Sequence, residues 1–214
     1  MTYDLLITGA TIVNADGALH ASIAIEGGAI AALFAPDAAL PPAARTIDAT
    51  GLIAIPGGVD GHCHAEQVTG RYRSLDTYAS TTSAALRGGT TTIIDFGIPA
   101  EKSERPIDAL QRKIDLISSS GARCDVALHG AVVEWDETTS AQLEHMAELG
   151  VHSVKMYTTN RGTTMSDDDT IVRVMHEMTR LDGLAYIHSE HDGIIVDRSE
   201  ACADRGEIGI AHLH

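Results

Sequence analysis

Over the first fifty or so residues the apolar positions fall in short runs broken by turn residues. Asp4–Thr8 and Thr11–Asn14 read as β-strand segments split by Gly9, and the four residues Asn14–Gly17 as a turn. Ser22–Glu26 alternates, Gly27 and Gly28 supply a second turn, and Ala29–Phe34 is a further apolar run. The Ala/Pro-rich stretch Ala35–Arg45 reads as a loop before Thr46–Ile53 returns to strand. Strands and turns without a helical period predict a small β-sandwich lobe over residues 1–52.

From about Gly51 the pattern changes to strands alternating with helices. Leu52–Val59 is an apolar strand interrupted by Pro56, Gly57 and Gly58, and Leu75–Arg87 is helical. Thr90–Phe96, Cys124–Val133, Val151–Tyr157 and Leu184–His188 read as strands. Ile107–Ser119, Ser140–Leu149, Asp168–Leu181 and Gly193–Asp204 read as helices. Thr138–Ser140 and Ser166–Asp169 offer N-cap side chains, and Gly150 and Gly183 stand where C-caps belong. Five successive βα units predict a parallel sheet with crossover helices, either open and doubly wound or closed into a TIM-type (β/α)8 barrel. No G-x-G-x-x-G follows the first strand, which weakens a dinucleotide-binding open sheet. A barrel needs about 250 residues, so residues 53–214 would supply the first five of its eight units and the chain would stop early.

Composition narrows the function classes. The 214 residues are 44% hydrophobic and 21% charged, an ordinary globular balance. A net charge of −15 argues against nucleic-acid or anionic-membrane partners, which need a basic patch. No run is long enough to span a bilayer, and Met1–Leu6 lacks the basic start of a secretory signal. Cys63, Cys124 and Cys202, odd in number and widely spaced, fit a reducing cytoplasm rather than a disulfide framework.

The candidate chemistry lies at strand ends. In an extended segment His62 and His64 of Asp60–His64 point the same way, so two imidazoles can meet one metal ion. Eleven histidines make one such pair by chance unsurprising, and His212 and His214 form another. Position separates them, because only the first follows directly on the first barrel strand. Lys155 sits in an apolar strand, where lysine is seldom buried unpaired. Either it reaches the barrel rim or a carboxylate, or desolvation lowers its pKa and its neutral amine takes up carbon dioxide to form a metal-bridging carbamate. His188 ends a third strand, with Glu190 two residues on, and reads as a further ligand. His129 also ends an apolar strand and reads as a structural or supporting histidine.

Together these residues resemble a known family. Ile55–His64 is similar to the P-G-[GF]-[IV]-D-x-H-x-H signature of cyclic amidohydrolases of the hydantoinase/dihydropyrimidinase type. Gly88–Phe96 looks like their second barrel strand, Ser153–Lys155 like the strand with the carboxylated lysine, and Tyr186–Glu190 like their H-x-E strand. Asp48–Gly51 matches the approach to the barrel. The resemblance implies hydrolysis of a cyclic amide C–N bond by a hydroxide bridging two divalent metals, expected to be zinc. His62 and His64 would hold one metal, His188 the other, and a carbamate on the catalytic Lys155 would bridge them. It further implies a small hydantoin- or dihydropyrimidine-like substrate and a homo-oligomer, dimer or tetramer. Allantoinase or dihydroorotase chemistry, or a non-catalytic dihydropyrimidinase-related assembly protein, are the alternatives. Family members carry a substrate-binding tyrosine five residues after the lysine; here that position is Asn160, and Tyr157 shares a strand face with Lys155. Asn160 and Tyr157 are therefore the candidate substrate contacts, with preference expected for a ring bearing an additional polar group. The family's last histidine ligand and its aspartate proton shuttle would fall beyond residue 214.

Overall fold

A computed structural model describes residues 2–69 and 72–209. His212 and His214 lie outside the described residues. The chain divides into two compact units, Met1–Gly57 and Gly58–His214.

The first unit is one five-stranded mixed sheet. β1 (Tyr3–Asn14) pairs antiparallel with β2 (Gly17–Glu26), which pairs antiparallel with β3 (Ala29–Phe34). β4 (Ala43–Asp48) and β5 (Ile53–Ala54) both run parallel to β1. The two segments predicted around Gly9 are a single strand whose register shifts between Ile7 and Ala10. Gly9, at φ +71°, makes this bulge, and a Cβ there would stand 2.7 Å from Thr50 Oγ1. β4 begins at Ala43, inside the stretch expected to be loop. Among the described residues this unit has a single sheet, where the sequence suggested the two layers of a sandwich. Ile53–Ala54 pair with β1 and so belong to the first unit.

The second unit alternates as predicted. Its strands are β6 (Gly58–Asp60), β9 (Thr90–Gly97), β10 (Asp125–Ala131), β11 (Ser153–Tyr157) and β12 (Leu184–His188). A short hairpin, β7 (Val68–Thr69) and β8 (Tyr72–Arg73), was not foreseen. The helices are α1 (Tyr78–Arg87), α2 (Pro106–Ser119), α3 (Thr139–Glu148), α4 (Asp168–Arg180) and α5 (Asp192–Asp204). The main sheet is all parallel, in the order β12-β11-β10-β9-β6. Leu110 of α2, Leu143 and Met146 of α3, and Val174 and Met178 of α4 pack in one core with Val154 and Met156 of β11. Successive helices α2, α3 and α4 touch one another, so they cover the same face of the sheet. A doubly wound sheet would place helices on both faces; one-sided cover is the arrangement of a barrel wall.

The helix ends follow from local chemistry. Asp167 accepts from the Thr170 N–H and caps α4. At α3 it is Asp136 that accepts from the Thr138 N–H and from the Thr138 and Thr139 hydroxyls. After α3, Gly150 (φ +85°) and Val151 donate to Ala147 and Met146 and close a Schellman turn, as expected. After α4 the left-handed residue is Asp182 (φ +52°) rather than Gly183. Gly183 is needed for a different reason: a Cβ there would lie 2.7 Å from the His152 carbonyl and 2.3 Å from Met178 Cε.

Candidate metal centre

Strand alternation sorts the side chains of the parallel sheet onto two faces. In β11, Val154 and Met156 point to the helices, so Lys155 and Tyr157 point the other way. Lys155 pairs across the ladder with Tyr186, and Tyr157 with His188. Phe96 of β9 lies opposite His129 of β10. The face turned away from the helices therefore carries lysine, histidines and aromatic rings at the C-terminal ends of neighbouring strands.

The Asp60–His64 segment folds over this face directly after β6. The Asp60 carboxylate accepts from the His62 N–H at 3.0 Å, and the Cys63 N–H donates to the Ile94 carbonyl at 2.9 Å. The His62 and His64 rings are 5.1 Å apart, and His64 stacks on Phe96 at 4.8 Å. His62 sits 4.7 Å from Phe96 and 5.7 Å from Tyr186. Cys63 faces the opposite way, against the cluster of Ala65, Tyr78 and Ile93. Neither imidazole makes a hydrogen bond among the described residues. Burial, and then the nearby Lys155 charge, holds His62 below the usual histidine range. Burial likewise lowers His64, with Asp95 opposing. Both shifts favour the neutral ring, the form in which imidazole binds metal.

Lys155 is 2% exposed, and no carboxylate or other acceptor among the described residues takes up its amine. Its Nζ lies instead over the rings of Tyr186 (4.9 Å), Tyr157 (5.2 Å) and Phe96 (5.5 Å). Desolvation pushes its pKa down.

Other predicted residues stand apart to different degrees. His188 is at the rim, its Nε2 2.7 Å from Glu190 and its ring 5.6 Å from Tyr157. Among the described residues no three histidine, cysteine, aspartate or glutamate side chains are gathered as a metal cage. What converges is a pair of histidines and a lysine, with His188 and Tyr157 beside them. Asn160 adopts a left-handed conformation (φ +67°) and its side chain donates to Thr164 Oγ1, so its visible role is in the turn before α4.

Supporting residues surround these groups, and of them the sequence singles out only His129. His129 Nε2 lies 3.1 Å from the Gly61 carbonyl, which can only accept, so in the neutral ring Nδ1 accepts from the Ser153 hydroxyl at 2.5 Å. Its ring stacks on Tyr186 at 5.4 Å. That is the supporting part expected of it, with partners the sequence did not reveal. Asp95 of β9 points to the helix side and is fully buried. It accepts from the Tyr78 hydroxyl (2.5 Å) and the Ala65 N–H (3.1 Å), and pairs with buried Lys113 of α2 at 3.2 Å. The available signals were a lone carboxylate among the β-branched residues of β9, and a lysine three residues from Leu110 on the apolar face of α2.

The sequence profile of the Amidohydrolase family matches residues 53–209. The chain is 35% identical over 188 residues to a D-hydantoinase of Ralstonia pickettii, covering 88% of this chain and 40% of the relative. It is 33% identical over 211 residues to Dihydropyrimidinase 1 of Caenorhabditis briggsae, covering 98% of this chain and 43% of the relative. A solved D-hydantoinase structure superposes with a TM-score of 0.87 at 33% identity, over 95% of this chain and 43% of that one. The chain thus spans less than half the length of these relatives.

Proposed function

The chain belongs to the amidohydrolase family, and from that premise we propose that it forms part of a metal-dependent hydrolase that opens the C–N bond of a small cyclic amide. The named relatives favour a hydantoin or dihydropyrimidine ring over allantoin or dihydroorotate. The observation that carries the reading is the convergence of two imidazoles free of hydrogen bonds, His62 and His64, with a buried lysine that has aromatic rings but no counter-ion around it among the described residues.

The donor set fits a divalent metal such as zinc. His62 and His64 offer ring nitrogens from one segment, and His188 would offer a third after turning from Glu190. An ammonium at Lys155 would repel such ions, whereas a neutral amine can add to carbon dioxide, releasing a proton and leaving a carbamate anion. The lowered pKa of Lys155 favours that conversion. Two divalent ions held there would bring the pKa of a water near neutrality and polarise the substrate carbonyl.

The rest is done by the chain's own groups. Phe96, Tyr186 and Tyr157 line the lysine side and leave it little contact with water. His129 holds the Gly61 carbonyl, and with it the start of the histidine segment. Tyr157, half-buried beside Lys155 and His188, is the nearer candidate to touch substrate; Asn160 would act through the shape of its loop. We further read the one-sided parallel sheet as the first five units of a (β/α)8 barrel, in a cytoplasmic homo-oligomer without nucleic-acid or membrane partners.

The test is direct. In the intact protein, His62→Ala combined with His64→Ala should remove bound metal and ring-opening activity together. Normal metal stoichiometry in the purified double variant would show that these histidines are not ligands.

A further inference from the structure

The buried group around Asp95 lies on the helix side of the sheet, where an apolar cluster would serve packing as well. Replacing a buried ion pair by apolar residues is often neutral or stabilising, so packing alone gives little reason for Asp95 and Lys113. Their hydrogen bonds point to one place. Asp95 Oδ2 accepts from the Ala65 N–H at 3.1 Å, and Lys113 Nζ donates to the Ala65 carbonyl at 2.8 Å. The Ala65 N–H belongs to the peptide that carries the His64 carbonyl, and that carbonyl accepts from Ser74 Oγ at 3.1 Å. The other oxygen of the same carboxylate accepts from the Phe96 N–H at 2.6 Å. Phe96 is the ring on which His64 stacks. One carboxylate therefore fixes both the backbone beside His64 and the residue that supports its imidazole. The Tyr78 hydroxyl, 2.5 Å from Asp95 Oδ2, and Lys113, 3.2 Å from it, fix the carboxylate in turn.

We propose that Asp95 and Lys113 are positioning residues for His64, presetting its imidazole for metal through the Ala65 peptide and the Phe96 ring. The inference rests on the metal-centre reading above. Groups that orient a ligand from outside the coordination sphere typically change metal affinity by roughly 10- to 100-fold. They do so without touching the metal.

The experiment is a zinc titration of the intact protein against a competing chelator, with folding followed by circular dichroism. Asp95→Asn combined with Lys113→Met removes both charges together, so no lone buried ion remains. Tyr78→Phe keeps the ion pair and loosens only the orientation of the carboxylate. Leu143→Ala is the control, a core truncation in α3 outside this network. The expected result is zinc binding weaker by roughly 10- to 100-fold in the double variant, a smaller loss in Tyr78→Phe, and wild-type affinity in Leu143→Ala despite its lower unfolding temperature. Wild-type affinity in a folded double variant overturns the proposal, as does an equal loss in the Leu143→Ala control. If the double variant does not fold, unchanged affinity in Tyr78→Phe overturns it. A wild-type protein that binds no zinc would instead sink the metal-centre reading itself, and this inference with it.

Discussion

At the scale of single residues, the chemistry is set by which groups are left without partners. The side chains of His62, His64 and Lys155 make no hydrogen bond among the described residues; their neighbours are aromatic rings. Lys155→Ala should therefore lose metal and activity while the strand stays folded, because removing a lysine held only by aromatic contacts breaks no ion pair. A short carboxylic acid such as acetate could occupy the vacated space and stand in for the carbamate. Activity partly restored by acetate in Lys155→Ala, but not in His188→Ala, is the expected outcome; no recovery at any acid concentration counts against a bridging carboxylate. Asn160 calls for a different test. Its φ of +67° suits asparagine or glycine, and a β-branched residue there should cost roughly 1–2 kcal/mol. Urea unfolding of Asn160→Gly and Asn160→Val should show the first near wild type and the second destabilised. Equal midpoints would mean that the left-handed turn is not enforced.

At the scale of elements, the alternation of strands and helices was legible because period-two and period-3.6 patterns survive in a single sequence. α4 illustrates this: its predicted and observed ranges differ by one residue, since Asp167 caps the start and Leu181 follows the last turn. The failures have physical reasons as well. β4 starts inside an Ala/Pro stretch because pairing with β1, a contact across some forty residues, overrides weak local propensity. The hairpin of β7 and β8 was missed because two residues on each side carry too little pattern to read. Spacing allows Gly183 a C-cap role but cannot separate that role from close packing. Since the His152 carbonyl and Met178 crowd that position, Gly183→Ala should destabilise the protein by roughly 1–3 kcal/mol. A thermal midpoint equal to wild type would show that the α4–β12 junction relaxes freely.

At the scale of the whole molecule, the sequence pointed to the candidate ligands but not to what positions them. His62, His64, Lys155 and His188 stand out because each lies in an apolar strand or just after one. Asp95, Lys113, Tyr78 and Ala65 are scattered along the chain, and only the parallel sheet with α1 and α2 beside it brings them together. The layer of α2, α3 and α4 on one face of the sheet is the cover of a barrel wall rather than of a doubly wound sheet. It leaves the opposite face free to collect the histidines and the lysine at one end of the strands. On the proposed reading this lysine works as a carbamate between metals. The most direct measurement is carbon-13 NMR of the intact, zinc-loaded protein after equilibration with labelled bicarbonate, beside its Lys155→Ala variant. A carbamate resonance in the wild type that accompanies bound zinc, and that is absent from Lys155→Ala, is the predicted result. Fully loaded zinc with no carbamate resonance would contradict the account.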